Sequence, residues 1–269
     1  MDTKTLTNLF GLESKVAIVT GGAGRLGFQH IDILKKAGAT VHSFDVIKNN
    51  SMPEEMATQH IVNITNPTEV KKVVDNIAQK EGHIDILINN AALNPKVGKD
   101  ATPLDLAQFS PYEDYPKELW DKEFAVGLDG AHFTTQAVAF HMIKQKKGSI
   151  INVASTSAIT APDNRKYEKG KFKSVSYPTI KAALLGLSRA WASYFASTAP
   201  GVRVNAVSFG AVNFGSMEPA FLKKLGERNM LGRPARPDEY QGVILFLASN
   251  ASEFITASNL VADAGQTAW

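Results

Sequence analysis

Tyr177 and Lys181 stand four residues apart in the run Tyr177-Pro-Thr-Ile-Lys181. On a helix that spacing puts a phenol and an ammonium on one face, one turn apart. A free phenol keeps its proton to about pH 10, which makes it a poor acid or base at neutrality. A fixed cation beside it favours the phenolate and draws the titration toward the working pH, where proton transfer is most effective. The pair therefore has the chemistry of a general acid/base. With six tyrosines and 22 lysines in 269 residues, chance supplies about half such a match, so the surroundings must carry the assignment. A second match, Tyr167-Glu-Lys-Gly-Lys171, lies ten residues upstream. It sits in a charged stretch that contains Gly170 and offers no apolar face, which argues against a helix there. Tyr177 instead leads into Lys181-Ala-Ala-Leu-Leu-Gly-Leu-Ser-Arg-Ala-Trp191, a buried-helix pattern, and Pro178 is compatible with a first turn. Tyr177 is the candidate.

A second constellation is Thr20-Gly-Gly-Ala-Gly-Arg-Leu-Gly27. Gly22, Gly24 and Gly27 satisfy G-x-G-x-x-G, the pattern that lets a backbone turn tightly and a helix N-terminus meet a pyrophosphate. An acidic residue for the adenosine ribose is expected about 20 positions on, and Asp45 lies 18 residues after Gly27. A carboxylate there repels a 2′-phosphate, which favours NAD over NADP. Arg25 is the opposing feature, since a guanidinium in that turn can meet a phosphate.

The elements that must position these residues follow from hydrophobic pattern. Val16–Thr20, Thr40–Phe44, Gln59–Val62, Ile84–Ile88, Ser149–Val153 and Val202–Val207 read as strands. Leu26–Ala37, Pro67–Gln79 and long stretches near Leu119–Lys146 and Thr179–Ser197 read as helices. This alternation implies a parallel sheet covered on both faces. No linker or repeat divides residues 1–269, so a single domain is expected. Two loops are long: Leu93–Pro116, with Pro95, Pro103, Pro111 and Pro116, and Asp163–Lys173. The second sets Arg165, Lys166, Lys169, Lys171 and Lys173 against Asp163 and Glu168, a net charge of +3. Long loops at strand ends are where function tends to lie.

Composition narrows the class. A net charge of +3 is far from the basic footprint of a nucleic-acid binder. Without cysteine there are no disulfides, thiolate metal sites or thiol nucleophiles, and the scattered histidines have no zinc-ligand spacing. The N-terminus has no apolar signal core and no run reaches membrane-spanning length. A soluble cytoplasmic protein is expected, with no metal, nucleic-acid or membrane partner.

With these pieces in order, the chain resembles the short-chain dehydrogenase/reductase family from about residue 12 to 267. Thr20-Gly21…Gly27 is similar to its TGxxxGxG turn, Asn89-Asn-Ala-Ala92 to its NNAG, and Val202-Arg-Val-Asn-Ala-Val-Ser-Phe-Gly210 to its VRVNxVSPG. Leu231-Gly-Arg233 and Leu260–Gly265 are similar to its C-terminal pattern. The resemblance implies a single-domain Rossmann fold, a doubly wound parallel sheet flanked by helices on both faces. It implies that Ser155, Tyr177 and Lys181 are catalytic. It implies a nicotinamide site from Gly21, Gly24, Arg25, Leu26, Gly27, Asp45, Asn63, Ile64, Asn90, Ala91, Tyr177, Lys181, Gly210 and Val212. Hydride then passes between nicotinamide C4 and an alcohol or ketone carbon. Tyr177 exchanges the proton, Ser155 holds the substrate oxygen, and Lys181 binds the ribose and lowers the tyrosine pKa. Homodimers or homotetramers through the two long helices are common in the family.

Four departures matter. Arg25 replaces the middle glycine, Gly127 an asparagine that supports a water-mediated proton path, Phe209 the proline of SPG, and Phe214, beside Asn213, a threonine that contacts the carboxamide. Tyr177 also lies 22 residues after Ser155 rather than about 13, which places a basic insertion of about ten residues between them. With Lys223, Lys224 and Arg228 in the lid segment, that insertion points to an anionic substrate, such as a phosphorylated or nucleotide-linked sugar. Asn89–Lys96, Gly127 and the ending Asp263–Trp269 are similar to dehydrogenases of bacterial flagellin-glycan (nonulosonic acid) pathways. Other readings are a 3-oxoacyl-type carbonyl reductase and a non-catalytic NAD-binding regulatory or scaffold protein.

Overall fold

Apolar runs without polar alternation become the strands of a sheet buried on both sides. After α1 (Thr3–Phe10), β1 (Val16–Thr20) is buried at all five positions. The glycine turn then feeds α2 (Arg25–Lys36), which stops ahead of Gly38, whose φ of +103° suits glycine. β2 (Thr40–Asp45) and β3 (Thr58–Ile61) follow. α3 (Pro67–Glu81) opens on its proline, with the Asn66 side chain accepting from the amides of Thr68 and Glu69. This computed structural model describes residues 2–93 and 102–268; Pro95, Lys96 and Trp269, named above, lie outside them.

β4 (Ile86–Asn89) is followed by α4 (Pro103–Ala107). Next, α5 (Lys117–Phe124), a π-helical turn (Ala125–Asp129) and α6 (Gly130–Gln145) run on without a break. β5 (Gly148–Ser155), α7 (Ser176–Thr198), β6 (Val202–Phe209), α8 (Pro219–Gly226), α9 (Gln241–Ala248) and β7 (Asn259–Ala262) complete the chain.

The seven strands pair in parallel in the order β3-β2-β1-β4-β5-β6-β7. Side-chain alternation splits β1 between two cores. Ala17 and Val19 pack with Ile31 and Leu34 of α2 and Ile244 and Leu247 of α9. Val16 and Ile18 pack with α3, α6 and α7 through Val70, Val138 and Phe195. This is the doubly wound α/β arrangement expected, with its crevice at the strand carboxyl ends where the order reverses between β1 and β4. Expected strands and helices are present with shifted ends. Ile84 falls before β4, its amide held by the Gln145 side chain at 3.0 Å. Among the described residues no helix is long and apolar enough to cross a membrane.

Polar groups clamp the sheet beneath the crevice. The amide of buried Asn89 donates to Asn152 Oδ1 at 2.8 Å and Thr135 Oγ1 at 3.0 Å, while its oxygen accepts from Thr134 at 2.6 Å. Asn152 passes a further bond to Ser188 at 2.8 Å, so β4, β5, α6 and α7 share one network. Replacing Asn89 by leucine strands buried partners, each worth about 1–3 kcal/mol. The expected result is a melting temperature lower by roughly 5–10 °C. A drop below about 2 °C in a thermal scan would show that the network is not a clamp.

Candidate active site

The phosphate turn is tight because its glycines leave no room for side chains. A Cβ on Gly27 would stand 2.1 Å from the Gly21 carbonyl oxygen, and one on Gly21, at φ +66°, 2.8 Å from Ala91 Cα. The Asn90 side chain donates to the Thr20 carbonyl at 3.0 Å, and Thr20 Oγ1 accepts from the amides of Asn90 and Ala91. These bonds tie the end of β4 to the end of β1. No side chain caps the start of α2, so its first-turn amides are left for an anion. At the rim, Asp45 accepts from the Ala23 amide at 3.1 Å and from its neighbour Val46 at 2.8 Å. An uncapped helix start beside a fixed carboxylate fits the pyrophosphate and ribose of a dinucleotide.

Three elements bring the reacting groups to the same crevice. Ser155 is the last residue of β5, buried, and its Oγ accepts from the Ser157 amide at 3.2 Å. Tyr177 and Pro178 lie in the first turn of α7, where the missing proline N–H costs no helix bond. Lys181, one turn on, is buried and donates from Nζ to the Val153 carbonyl at 2.7 Å. Ser155 and Tyr177 face the same cleft, and the Ser155 hydroxyl favours the Tyr177 phenolate. Tyr167, the rival match, stands outside any helix beyond the turn Asn164–Lys166.

One expectation is corrected. The Tyr177 phenol is pushed up by burial, partly offset by the Ser155 hydroxyl. Lys181 does not set its direction, because the ammonium points to Val153 and lies 5.7 Å from the ring centroid. Burial, reinforced by Lys173, lowers Lys181 itself to about 8.

A cleft of about 220 Å³ joins these parts. Of the predicted residues it is lined by Gly21, Gly24, Arg25, Leu26, Gly27, Asp45, Asn90, Ala91, Ser155, Tyr177, Lys181 and Gly210. Three do not line it. Asn63 is exposed after β3 and turns its oxygen to the Thr65 amide, Ile64 is buried against Gly130, and Val212 bridges to Ala235.

The chain matches the family model described as enoyl-(acyl carrier protein) reductase over residues 26–267. The 3-oxoacyl-[acyl-carrier-protein] reductase of Thermotoga maritima is 33% identical to it, over 94% of this chain and 98% of that one. The chain belongs to the short-chain dehydrogenase/reductase family. As a member, it is an oxidoreductase of alcohols and ketones. An NAD-dependent glycerol dehydrogenase of Listeria innocua is 30% identical over 96% of both chains. A crystal structure of a gluconate 5-dehydrogenase from Burkholderia cenocepacia, in complex with NADP and tartrate, superposes with a TM-score of 0.82 at 25% identity, over 98% of this chain and 99% of that one.

Within the short-chain dehydrogenase/reductase frame, each departure has a local explanation. Gly127 lies in the π-helical turn, where a Cβ would stand 2.9 Å from Ile180 Cγ2. A larger side chain there needs Ile180, the neighbour of Lys181, to move. Phe209 stacks on Tyr240 with ring centroids 4.0 Å apart. The Arg25 guanidinium lies over the Phe214 ring and donates to Ser216 at 3.1 Å, so it reaches toward the segment ahead of α8.

Sequence reasoning did not single out Lys173. Its Nζ lies 3.8 Å from the Tyr177 ring centroid, closer than Lys181. It too is four residues from Tyr177, but in a loop, where helical spacing carries no signal. Nor was Glu123 foreseen. This buried carboxylate accepts from Tyr115 at 2.6 Å and from Ser174 and Ser176. Burial pushes its pKa up despite those donors.

Proposed function

We propose that this protein is an NAD-dependent dehydrogenase that interconverts an alcohol and a ketone on a sugar or sugar derivative. The convergence of Ser155, Tyr177 and Lys181 beside the glycine turn, in one cleft, carries that reading. When bound, the nicotinamide supplies or accepts the hydride. Tyr177 exchanges the proton with the substrate oxygen, and Ser155 holds that oxygen by a hydrogen bond. Lys181 binds the nicotinamide ribose. Gly21, Gly24, Arg25, Leu26 and Gly27 hold the pyrophosphate and Asp45 the adenosine ribose. Asn90, Ala91 and Gly210, which line the same cleft, complete the cofactor set. Polyol and sugar-acid dehydrogenases among the relatives support the substrate class.

Asp45 favours NAD, since its charge opposes a 2′-phosphate and Arg25 is engaged with Phe214 and Ser216. Wild-type enzyme should show higher kcat/KM with NAD, and Asp45→Asn should shift the NADP-to-NAD ratio upward by about tenfold or more. Equal use of both cofactors by the wild type would reject the assignment.

The 33%-identical Thermotoga relative favours a second reading, a 3-oxoacyl-type carbonyl reductase. Following NADH oxidation over a set of ketoses and an acetoacetyl thioester separates the two. Turnover of ketoses supports the first, turnover of the thioester alone the second, and cofactor binding without any turnover a regulatory or scaffold role. Exposed Phe140 and Tyr194, on α6 and α7, support a homodimer or homotetramer through those helices. The absence of cysteine fits a reducing cytoplasm.

A further inference from the structure

The cations of the Asp163–Lys173 loop are not equivalent. Arg165 and, from beyond α8, Arg228 both pair with Asp163. Lys171 pairs with Glu168, and Lys169 is exposed. Lys166 and Lys173 are different. Both are half-buried, and among the described residues no carboxylate lies within ion-pair distance of either. Glu123 is the acid that Lys173 feels, but it already accepts from Tyr115, Ser174 and Ser176.

The loop is built to hold Lys173 in place. Its amide donates to Asn164 Oδ1 at 2.9 Å, and the Phe172 amide donates to the Phe109 carbonyl at 3.0 Å. Tyr167 packs between Phe109 and Phe221 of α8, and Lys224 donates to the Lys166 carbonyl. A flexible solvated lysine needs no such support. Here an ammonium is fixed 3.8 Å from the centroid of the Tyr177 ring. Burial, with Lys166 nearby, lowers Lys173 to about 8, and burial lowers Lys166 too. A half-buried ammonium with a second cation near it, beside a reaction centre, forms a site that an anion would complete.

We propose that Lys173, with Lys166 beside it, recognises a negatively charged group on the substrate, a phosphate ester or a carboxylate, next to the carbon that Tyr177 serves. This rests on the dehydrogenase reading and deepens it. The substrate is then an anionic sugar derivative, and the inserted loop is its specificity element.

The test compares sugars with and without an anionic group, fructose 6-phosphate against fructose and gluconate against glucitol, in wild type, Lys173→Met and Lys173→Arg. Wild type should prefer one anionic member. Lys173→Met should lower the charged-to-neutral ratio of kcat/KM about 10- to 100-fold, mainly through KM, and Lys173→Arg should restore most of it. Preference for fructose 6-phosphate identifies a phosphate site, and preference for gluconate a carboxylate site. A wild-type ratio near one, or an equal loss on charged and neutral sugars, overturns the proposal. Calorimetric titration of the NADH complex with inorganic phosphate and with tartrate separates this from failure of the dehydrogenase reading. Binding lost in Lys173→Met supports the anion site even without turnover, and no binding of either anion to wild type overturns it.

Discussion

Tyr177→Phe should lower kcat by about 10³-fold or more while NADH binds within about twofold of wild type. General acid/base catalysis by one positioned group contributes roughly 10²–10⁴-fold, and this variant removes the proton-bearing atom while keeping the ring. The ring contacts survive, including the cation 3.8 Å from its centroid, so the fold has no reason to yield. Ser155 keeps its bond from the Ser157 amide. Stopped-flow NADH binding and steady-state turnover check the two halves separately. Retained turnover would move the proton transfer elsewhere. A parallel loss of NADH binding would mean that Tyr177 builds the site rather than serving in it.

Gly27→Ala should act by a different route, on cofactor binding. The added Cβ would lie 2.1 Å from the Gly21 carbonyl oxygen and 2.8 Å from Gly22 Cα, both backbone atoms. Backbone cannot swing aside as a side chain tip can. Gly21 is itself held, since its amide donates to the Phe44 carbonyl at 2.8 Å and its carbonyl accepts from Asn90 at 3.3 Å. Either α2 withdraws from the turn or the turn opens, and overpacking of this kind costs about 1–3 kcal/mol or more. The first-turn amides that face the pyrophosphate shift with it. The expected result is NADH affinity lowered at least about tenfold, with a melting temperature lower by several degrees. Unchanged affinity by fluorescence titration would show that the cofactor does not use this turn.

Much of the framework was legible because local chemistry and global fold agree. β1 is apolar throughout because both of its faces are covered, and Asn66-Pro67 marks a helix start whatever surrounds it. Tyr177 could be chosen over Tyr167 because only one of them heads a helix with an apolar face. Elements that bury little were not visible. β7 is four residues long and only partly buried at the sheet edge, and α1 buries no residue at all. The electrostatics of the site were the least legible. Spacing revealed that Lys181 shares a face with Tyr177, but not that its ammonium turns to a carbonyl while Lys173 comes in from a loop. Burial, which sequence encodes only after folding, reverses the direction expected for the phenol.

Ser155 closes a strand whose register pairs it with Phe209, and Tyr177 is fixed by the first turn of a helix packed on that same sheet. Their separation in space is thus set by the sheet and the helix, and the number of residues between them is a free variable. Twenty-two residues or thirteen leave the reacting pair where it is. The intervening segment can lengthen, gain charge and dock onto α8 without moving the reacting pair, while its Lys173 reaches the Tyr177 ring and lowers Lys181. Selection for a new substrate can therefore act on the segment's length and composition while the sheet and helix hold the reacting pair in place.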